Sequence, residues 1–395
     1  MLTAASVIDF TLWFVAAFSA AYVIFFAIAA KWPWRTTPSA TIDDVASADP
    51  LPRFLIIIPA YAEDSVIRQS VMSVLQQDYP RELFELAVVS DHMSAATDDW
   101  LASQSLTLLQ AKFRQSTKGH ALQHAVDHYA AAGQSFDHVV ILDADNIVEP
   151  QFLRQLAAVA RQGYGAIQCH RTAKNADTDV AVLDGTSEEI NNSLFRLGHN
   201  AVGLSAALIG SGMCFDFDWF AVHASRLSST VEDRELEVLL LEQRIFIFYA
   251  AHITVYDEKV SDSSAFRRQR LRWMSGQLQT FRLMLHHLPQ ALRHANIDYV
   301  DKTIQQMLIP RSILLVLSLV GALVTTFLSF SSSLKWWTLW VLLVISLLSA
   351  IPAGKRLQAV KRGVLKLPLL VGQMLRGTTQ MFHAKKEFIH TPHHS

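Results

Sequence analysis

An α/β domain with a mostly parallel sheet and flanking helices, framed by three transmembrane helices, is the architecture this sequence predicts. Two patterns carry the prediction. Three long apolar stretches without a charge lie outside residues 53–280, and inside those limits short β-type runs alternate with longer amphipathic ones. Composition agrees: hydrophobic residues make up 51% of the 395 residues and charged residues 17%, against about 25% charged in an ordinary soluble domain. Part of the chain therefore belongs in lipid.

The first apolar stretch, Phe10–Ala30, has 21 residues, enough as a helix to cross a hydrocarbon core of about 30 Å. It predicts a span over 8–30. A signal peptide fits less well, because the run is too long and no Lys or Arg precedes it. A linker rich in Ser, Thr, Ala, Asp and Pro follows at 36–52. Ser312–Leu334 (23 residues) and Trp336–Gly354 (19 residues), separated by Lys335, read as a helical hairpin of two further spans. Interfacial helices are expected at 281–311, and an interfacial helix with a tail at 355–395, where His390, His393 and His394 read equally as a metal tract or a flexible end. Lys31 and Arg35 after the first span, Arg311 before the second, and Lys355, Arg356, Lys361, Arg362 and Lys366 after the third put the main domain in the cytoplasm. A multi-pass protein of a bacterial inner membrane is the expected location.

Lys+Arg 34 against Asp+Glu 35 leaves a net charge of -1, so no general basic field draws the chain to nucleic acid. Cys169 and Cys214 are too few for a disulfide framework and suit a reducing compartment.

Within 53–280 the strands read as Phe54–Ile58, Glu85–Ser90, Leu106–Gln110, His138–Leu142 and Ala166–His170, with helices over Val66–Gln77, Lys118–Ala132 and Gln151–Arg161. Ligands of open α/β sheets bind beyond the carboxyl ends of strands. Pro59, Ala60, Tyr61 and Glu63 follow one strand, Asp91 ends a second, and Asp143 and Asp145 end a third. No Walker A or Gly-rich dinucleotide pattern follows the first strand, which excludes both classes.

Asp143 and Asp145, one residue apart at a strand tip, can share a hard divalent cation with substrate oxygens. Alone, the pair reads as readily as an Asp-rich turn capping the next helix. Glu232 and Asp233 offer a general base, or acids favoured by a helix dipole. Gln269, Arg272 and Trp273 combine a guanidinium for a diphosphate with an indole face for a sugar ring. Arg267–Arg272 alone would more often be a membrane-surface patch.

In this order the motifs resemble the membrane-bound processive branch of glycosyltransferase family 2, which includes cellulose, hyaluronan, poly-N-acetylglucosamine and chitooligosaccharide synthases. The resemblance covers about residues 53–280 and the flanking spans. It rests on Pro59 to Glu63, Asp91, Lys118 with Gly119, Asp143 with Asp145, Gly210 to Met213, Glu232 with Asp233, and Gln269 with Arg272 and Trp273. It implies a GT-A fold, a nucleotide-diphosphate sugar donor and Mg²⁺ or Mn²⁺. By that resemblance Ala60, Tyr61, Glu63, Asp91, Lys118, Asp143, Gln269, Arg272 and Trp273 face the donor, and Asp145 with Asp143 holds the metal. Asp233 is then the general base of an inverting displacement, while Gly210, Ser211, Gly212, Met213, Glu232 and Trp273 line the acceptor path. The sequence departs from the family at His92, Met93 and Ser94, where many relatives carry a second acid or Asn, and at Val231 in place of Thr. The implied product is a β-linked polysaccharide from a UDP-sugar. With only three spans, a single sugar transferred to a lipid acceptor stays open, as does an export or synthase partner subunit. A noncatalytic nucleotide-sugar scaffold would need both Asp145 and Asp233 to be idle.

Overall fold

The computed structural model describes residues 4–32, 50–227, 231–259 and 263–362, without the side chains of residues 5, 263–268 and 270–272. The expected linker up to residue 49, and the expected tail beyond residue 362, lie outside the described residues.

After α1 (Ala4–Ala29), the chain enters the sheet with β1 (Phe54–Tyr61), whose residues Phe54 to Ile58 are wholly buried. Such an unbroken apolar run is what a central strand covered on both faces requires. β1 pairs in parallel with β2 (Phe84–Asp91) and β4 (His138–Ile141), and β2 with β3 (Thr107–Ala111). The crossovers are α2 (Ile67–Leu75), α3 (Ala95–Ala102) and α4 (Lys118–Ala131). Thr117 caps α4 by accepting the N–H of His120 at 3.2 Å, which makes Lys118 the first helical residue.

Beyond β4 the sheet becomes mixed. α5 (Phe152–Ala160) leads to β6 (Ala166–Ala173), and α6 (Asp179–Asn191) runs on through a π-helical segment, Asn192–Gly198. β7 (Met213–Asp216) is antiparallel to both β4 and β6. α7 (Phe217–Ala224) and α8 (Glu232–Glu242) precede β8 (Ile247–Asp257), which is parallel to β6 and antiparallel to the short β5 (Ile147–Val148). The order is β3-β2-β1-β4-β7-β6-β8-β5. β7 and β8 escape the sequence pattern because β7 has four residues and β8 loses its alternation at a bulge opposite Cys169 and His170. One face buries Ile56, Ile58, Val71, Leu156 and Ile253, and the other Leu55, Ile57, Leu122, Phe215 and Leu236. Successive β1 residues thus anchor opposite layers.

α9 (Ser263–Arg293) begins within the expected catalytic span 53–280 and runs into the 281–311 region, which α10 (Ile297–Met307) also occupies before α11 (Arg311–Leu328) and α12 (Phe330–Ala350). α1, α11 and α12 are the three helices among the described residues long and apolar enough to cross a membrane. The hairpin breaks at Ser329 rather than at Lys335, which corrects the boundaries expected from the sequence. Lys335 stays inside α12 because its Nζ meets Asp9 Oδ2 at 2.5 Å, while Trp336 Nε1 donates to Asp9 Oδ1 at 2.8 Å. A charge at the end of an apolar helix is tolerated when it is paired in this way.

The helices seat on the domain at Gly198, where an added Cβ would lie 2.5 Å from the carbonyl oxygen of Phe26. Backbone yields less readily than side chain. Gly198→Ala is therefore expected to push α1 off the domain at a cost of about 1–3 kcal/mol. A lower thermal midpoint of the detergent-purified variant checks this; an unchanged midpoint would show that the contact is slack.

Candidate active site

Asp143 and Asp145 follow β4 by two and four residues, and Asp257 ends β8. One carboxylate oxygen of each lies within 4.8 Å of the others. Asn146 holds them together: its Oδ1 accepts from Asp143 N at 3.0 Å, and its Nδ2 donates to Asp145 Oδ1 at 3.1 Å and Asp257 Oδ1 at 3.3 Å. Asp145 Oδ2 accepts the N–H of Glu258 at 3.1 Å. The pair does not cap the next helix, since α5 begins after Gln151 with no side-chain cap.

Two buried cations support this cluster. Lys259 Nζ lies 2.6 Å from Asp257 Oδ2, Arg171 Nε lies 3.7 Å from the same oxygen, and both cations meet Glu188. Burial, then Asp257 and Asp143, hold the Asp145 carboxyl well above the usual carboxylate range. Burial also disfavours ionised Asp257, but Arg171 and Lys259 outweigh it and hold that carboxyl low. Three crowded carboxylates with oxygen donors alone form a set that could hold a hard divalent cation.

α8 forms the facing wall. Lys118 Nζ links the two walls, lying 2.5 Å from Asp143 Oδ1, 2.6 Å from the carbonyl oxygen of Gly210 and 3.5 Å from Glu232 Oε1. Burial opposes its charge, but Asp143, Glu232 and Asp233 outweigh that and raise its pKa. Burial pushes Glu232 up to about 7, with Lys118 opposing and Asp233 adding to the push. Gly210 (φ +81) closes the gap: a Cβ there would lie 3.8 Å from Glu232 Oε1 and 3.9 Å from Asp233 Oδ2. Asp233 Oδ1 accepts the N–H of Arg234 at 2.8 Å. These acids sit in the first turn of α8, where the dipole favours them, yet they also face the strand-end cluster.

A cleft of 1060 Å³ opens beside β1 and β2, lined by Tyr61, His92, Phe113, Arg114, His120 and His124 among others. Asp91 is buried, and its Oδ1 lies 2.6 Å from His92 Nδ1. Burial, then Asp143, Glu258 and Asp64, push Glu63 up to about 8.

Not every expected residue reaches the cleft. Ala60 is 2% exposed, with its methyl in the core, so it can offer only backbone. Met213 is a core residue of β7. Ser211 is buried beneath the acidic loop, where its Oγ meets Asn146 and accepts from Asp143 N at 3.3 Å. Gly212 (φ +62) abuts Val255, which a Cβ would approach to 3.0 Å. Of that glycine-containing run, Gly210 adjoins Glu232 and Asp233, while Ser211 lies under Asp143 and the turns at both glycines send Gly212 and Met213 inward.

Gln269, Trp273 and Gly276 share one face of α9 by spacing, and Gly276 packs on Val231, whose Cγ1 would lie 2.8 Å from an added Cβ. α9 and the head of α8 therefore meet where Val231 replaces the expected Thr. Both Gln269 and Trp273 are half-buried, and the side chain of Arg272 lies outside the described residues. Sequence reasoning missed Asp257, Arg171, Lys259 and Glu188. An acid closing the run Ile253–Asp257 was the signal for the first, had β8 been recognised.

The mixed sheet with its acidic strand ends is a GT-A-like glycosyltransferase fold. Residues 52–276 match the model described as glycosyltransferase like family 2, and the chain belongs to that family. It is 24% identical over 339 residues to an N-acetylglucosaminyltransferase of Rhizobium leguminosarum bv. viciae, covering 83% of this chain and 78% of that protein. It is also 24% identical over 253 residues to a beta-monoglucosyldiacylglycerol synthase of Synechocystis, covering 63% of this chain and 52% of that protein. Among solved structures, a mannosyltransferase from Pyrobaculum calidifontis in complex with GDP-Man and Mn²⁺ superposes with a TM-score of 0.55 at 19% identity. That match covers 89% of this chain and 98% of that one.

Proposed function

We propose that this family 2 glycosyltransferase is an inverting, membrane-bound enzyme that transfers a sugar from a nucleotide-diphosphate sugar, a UDP-sugar by preference, to a growing β-linked polysaccharide at the cytoplasmic membrane face. The observation that carries the reading is the confrontation of Asp143, Asp145 and Asp257 with Glu232 and Asp233 across Lys118 and Gly210. The cleft beside Tyr61 and Asp91 takes the nucleoside. By the family resemblance, Gln269, Arg272 and Trp273 would serve the diphosphate and the acceptor's terminal sugar.

The three carboxylates would hold Mg²⁺ or Mn²⁺, the latter being the ion present with the Pyrobaculum enzyme. Such a cation supplies charge neutralisation for a departing diphosphate. Asp233 removes the proton from the acceptor hydroxyl as it attacks the anomeric carbon, and Lys118 keeps Asp143 and Glu232 compensated within the cleft. The name of the Synechocystis relative favours a second reading, in which the acceptor is a membrane lipid such as a diacylglycerol.

The test is nucleoside diphosphate release by the detergent-purified chain over UDP-GlcNAc, UDP-Glc and GDP-Man, with Mg²⁺, Mn²⁺ or EDTA. One donor should be turned over, and EDTA should stop it. Binding of donors without release under any of these conditions would leave a noncatalytic protein.

A further inference from the structure

Between the π-helical segment and β7, residues 202–212 form a strap without regular structure that ends at the site. Backbone bonds hold it at Ala206, Ala207 and Gly212, and Ala206 and Leu208 pack in the core, while side chains from elsewhere fasten the donors between. Asp298 on α10 accepts the N–H of Ser205 at 2.7 Å and its hydroxyl at 2.6 Å. Glu237 on α8 accepts the N–H of Leu208 at 3.1 Å, and Gln168 that of Ile209 at 3.0 Å. The carbonyl of Gly210 then receives Lys118. Ser205 and Leu208 are wholly buried, so Asp298 and Glu237 each satisfy a backbone donor with no access to water.

Glu237 is distinctive among these partners. It is fully buried and lies one turn beyond Asp233 on the same helix face. Its second oxygen takes Arg234 Nη1 at 3.2 Å. Lys302 of α10, also fully buried, feels the charges of Glu237, Asp301 and Asp298. A single carboxylate thus joins the helix that carries the proposed base to the strap that carries Gly210.

We infer that Glu237 is a positioning residue for the acceptor: it sets the gap between Asp233 and Gly210, and Asp298 ties that gap to α10. This inference rests on the proposed transfer reaction and deepens it. On the nucleoside side, Tyr61 lies against His92 and Asp91 is bonded to it, both outside the strap, while Asn146 links the three strand-end acids and the strap touches Asp143 only at its far end, through Ser211 and Lys118. Loosening the strap at Leu208 therefore displaces Gly210 and the acceptor first, while β1 and β2 keep the nucleoside side in place. Water then takes the acceptor's position: its oxygen attacks the anomeric carbon, the bond from that carbon to the diphosphate oxygen breaks with its electron pair leaving on the nucleoside diphosphate, and the water proton passes to Asp233. The product is free sugar.

The experiment compares wild type, E237Q, E237L and D298N in detergent, using UDP-GlcNAc, UDP-Glc and GDP-Man as donors. Chitotetraose, mannotetraose and dioleoylglycerol vesicles serve as acceptors. Donor affinity, acceptor KM and the ratio of free to transferred sugar are measured together. E237L should raise acceptor KM and that ratio about tenfold with donor affinity within about twofold of wild type, because uniform acceptor binding is lost and donor binding is not. E237Q, which keeps an oxygen for Leu208, should fall between E237L and wild type. If E237L does not fold, D298N, which weakens the other fastening, should show the same split. An unchanged ratio in all three variants, or donor affinity falling in step with transfer, would overturn the inference while wild-type turnover kept the transfer reading intact. No donor turnover by the wild-type chain would remove the transfer reading and the inference with it.

Discussion

Asp233→Asn should lower sugar transfer about 10²–10⁴-fold, the range over which a positioned general base contributes, while leaving nucleotide-sugar affinity close to wild type. Asp233 is only partly buried, and its Oδ1 is engaged by the adjacent Arg234 N–H. Asn preserves that bond and the first turn of α8, so the loss reports on proton removal rather than on folding. Glu232 supplies the contrast. It is buried against Lys118 and pushed up to about 7, so near neutrality it is only partly ionised and already paired. Glu232→Gln should therefore cost transfer less than Asp233→Asn. Nucleoside diphosphate release and calorimetric donor binding, measured on the same preparations, separate the two roles. Full turnover by Asp233→Asn would sink the assignment of Asp233 as base.

The residues that could be read directly from sequence are those whose chemistry coincides with a local pattern. Asp91, Asp143 and Asp145 follow apolar runs that are continuous because parallel central strands are buried on both faces, and the structure puts all three at one sheet edge. The three apolar helices were legible for the same reason: lipid demands length and uniformity. Residues fixed by long-range pairing were hidden. Asp257 reaches the acids only because β8 returns parallel to β6 across a bulge, and Arg171 and Lys259 become its counterions only in that register. Gly210 to Met213 read as one lining segment, yet positive φ at Gly210 and Gly212 turns the chain so that Gly210 adjoins Glu232 and Asp233, Ser211 lies under Asp143, and Met213 enters the core. The break at Ser329 was masked because Lys335, the only charge in the stretch, is neutralised by Asp9, more than 300 residues earlier.

Asp257→Asn should weaken Mn²⁺ binding and lower transfer by about 10²-fold or more, since several kcal/mol of charge stabilisation are at stake and each 1.36 kcal/mol is a factor of ten. The substitution is close to isosteric. The one Asn oxygen can still accept from Lys259 Nζ, the bond to Asn146 Nδ2 is lost, and Glu188 continues to compensate Arg171 and Lys259, so the fold should persist. What disappears is one of three negative charges within 4.8 Å. That charge is also one of the two that push Asp145 upward. Asp145 in the variant should therefore ionise more readily than in the metal-free wild-type chain, which partly offsets the lost ligand and makes Asp145→Asn the more damaging change of the two. Titration of Mn²⁺ by electron paramagnetic resonance, carried out without any donor, reads the site independently of turnover. A wild-type Mn²⁺ affinity in Asp257→Asn would mean that Asp143 and Asp145 suffice for the ion and that Asp257 serves as the counterion that keeps Arg171 and Lys259 buried beneath the cleft.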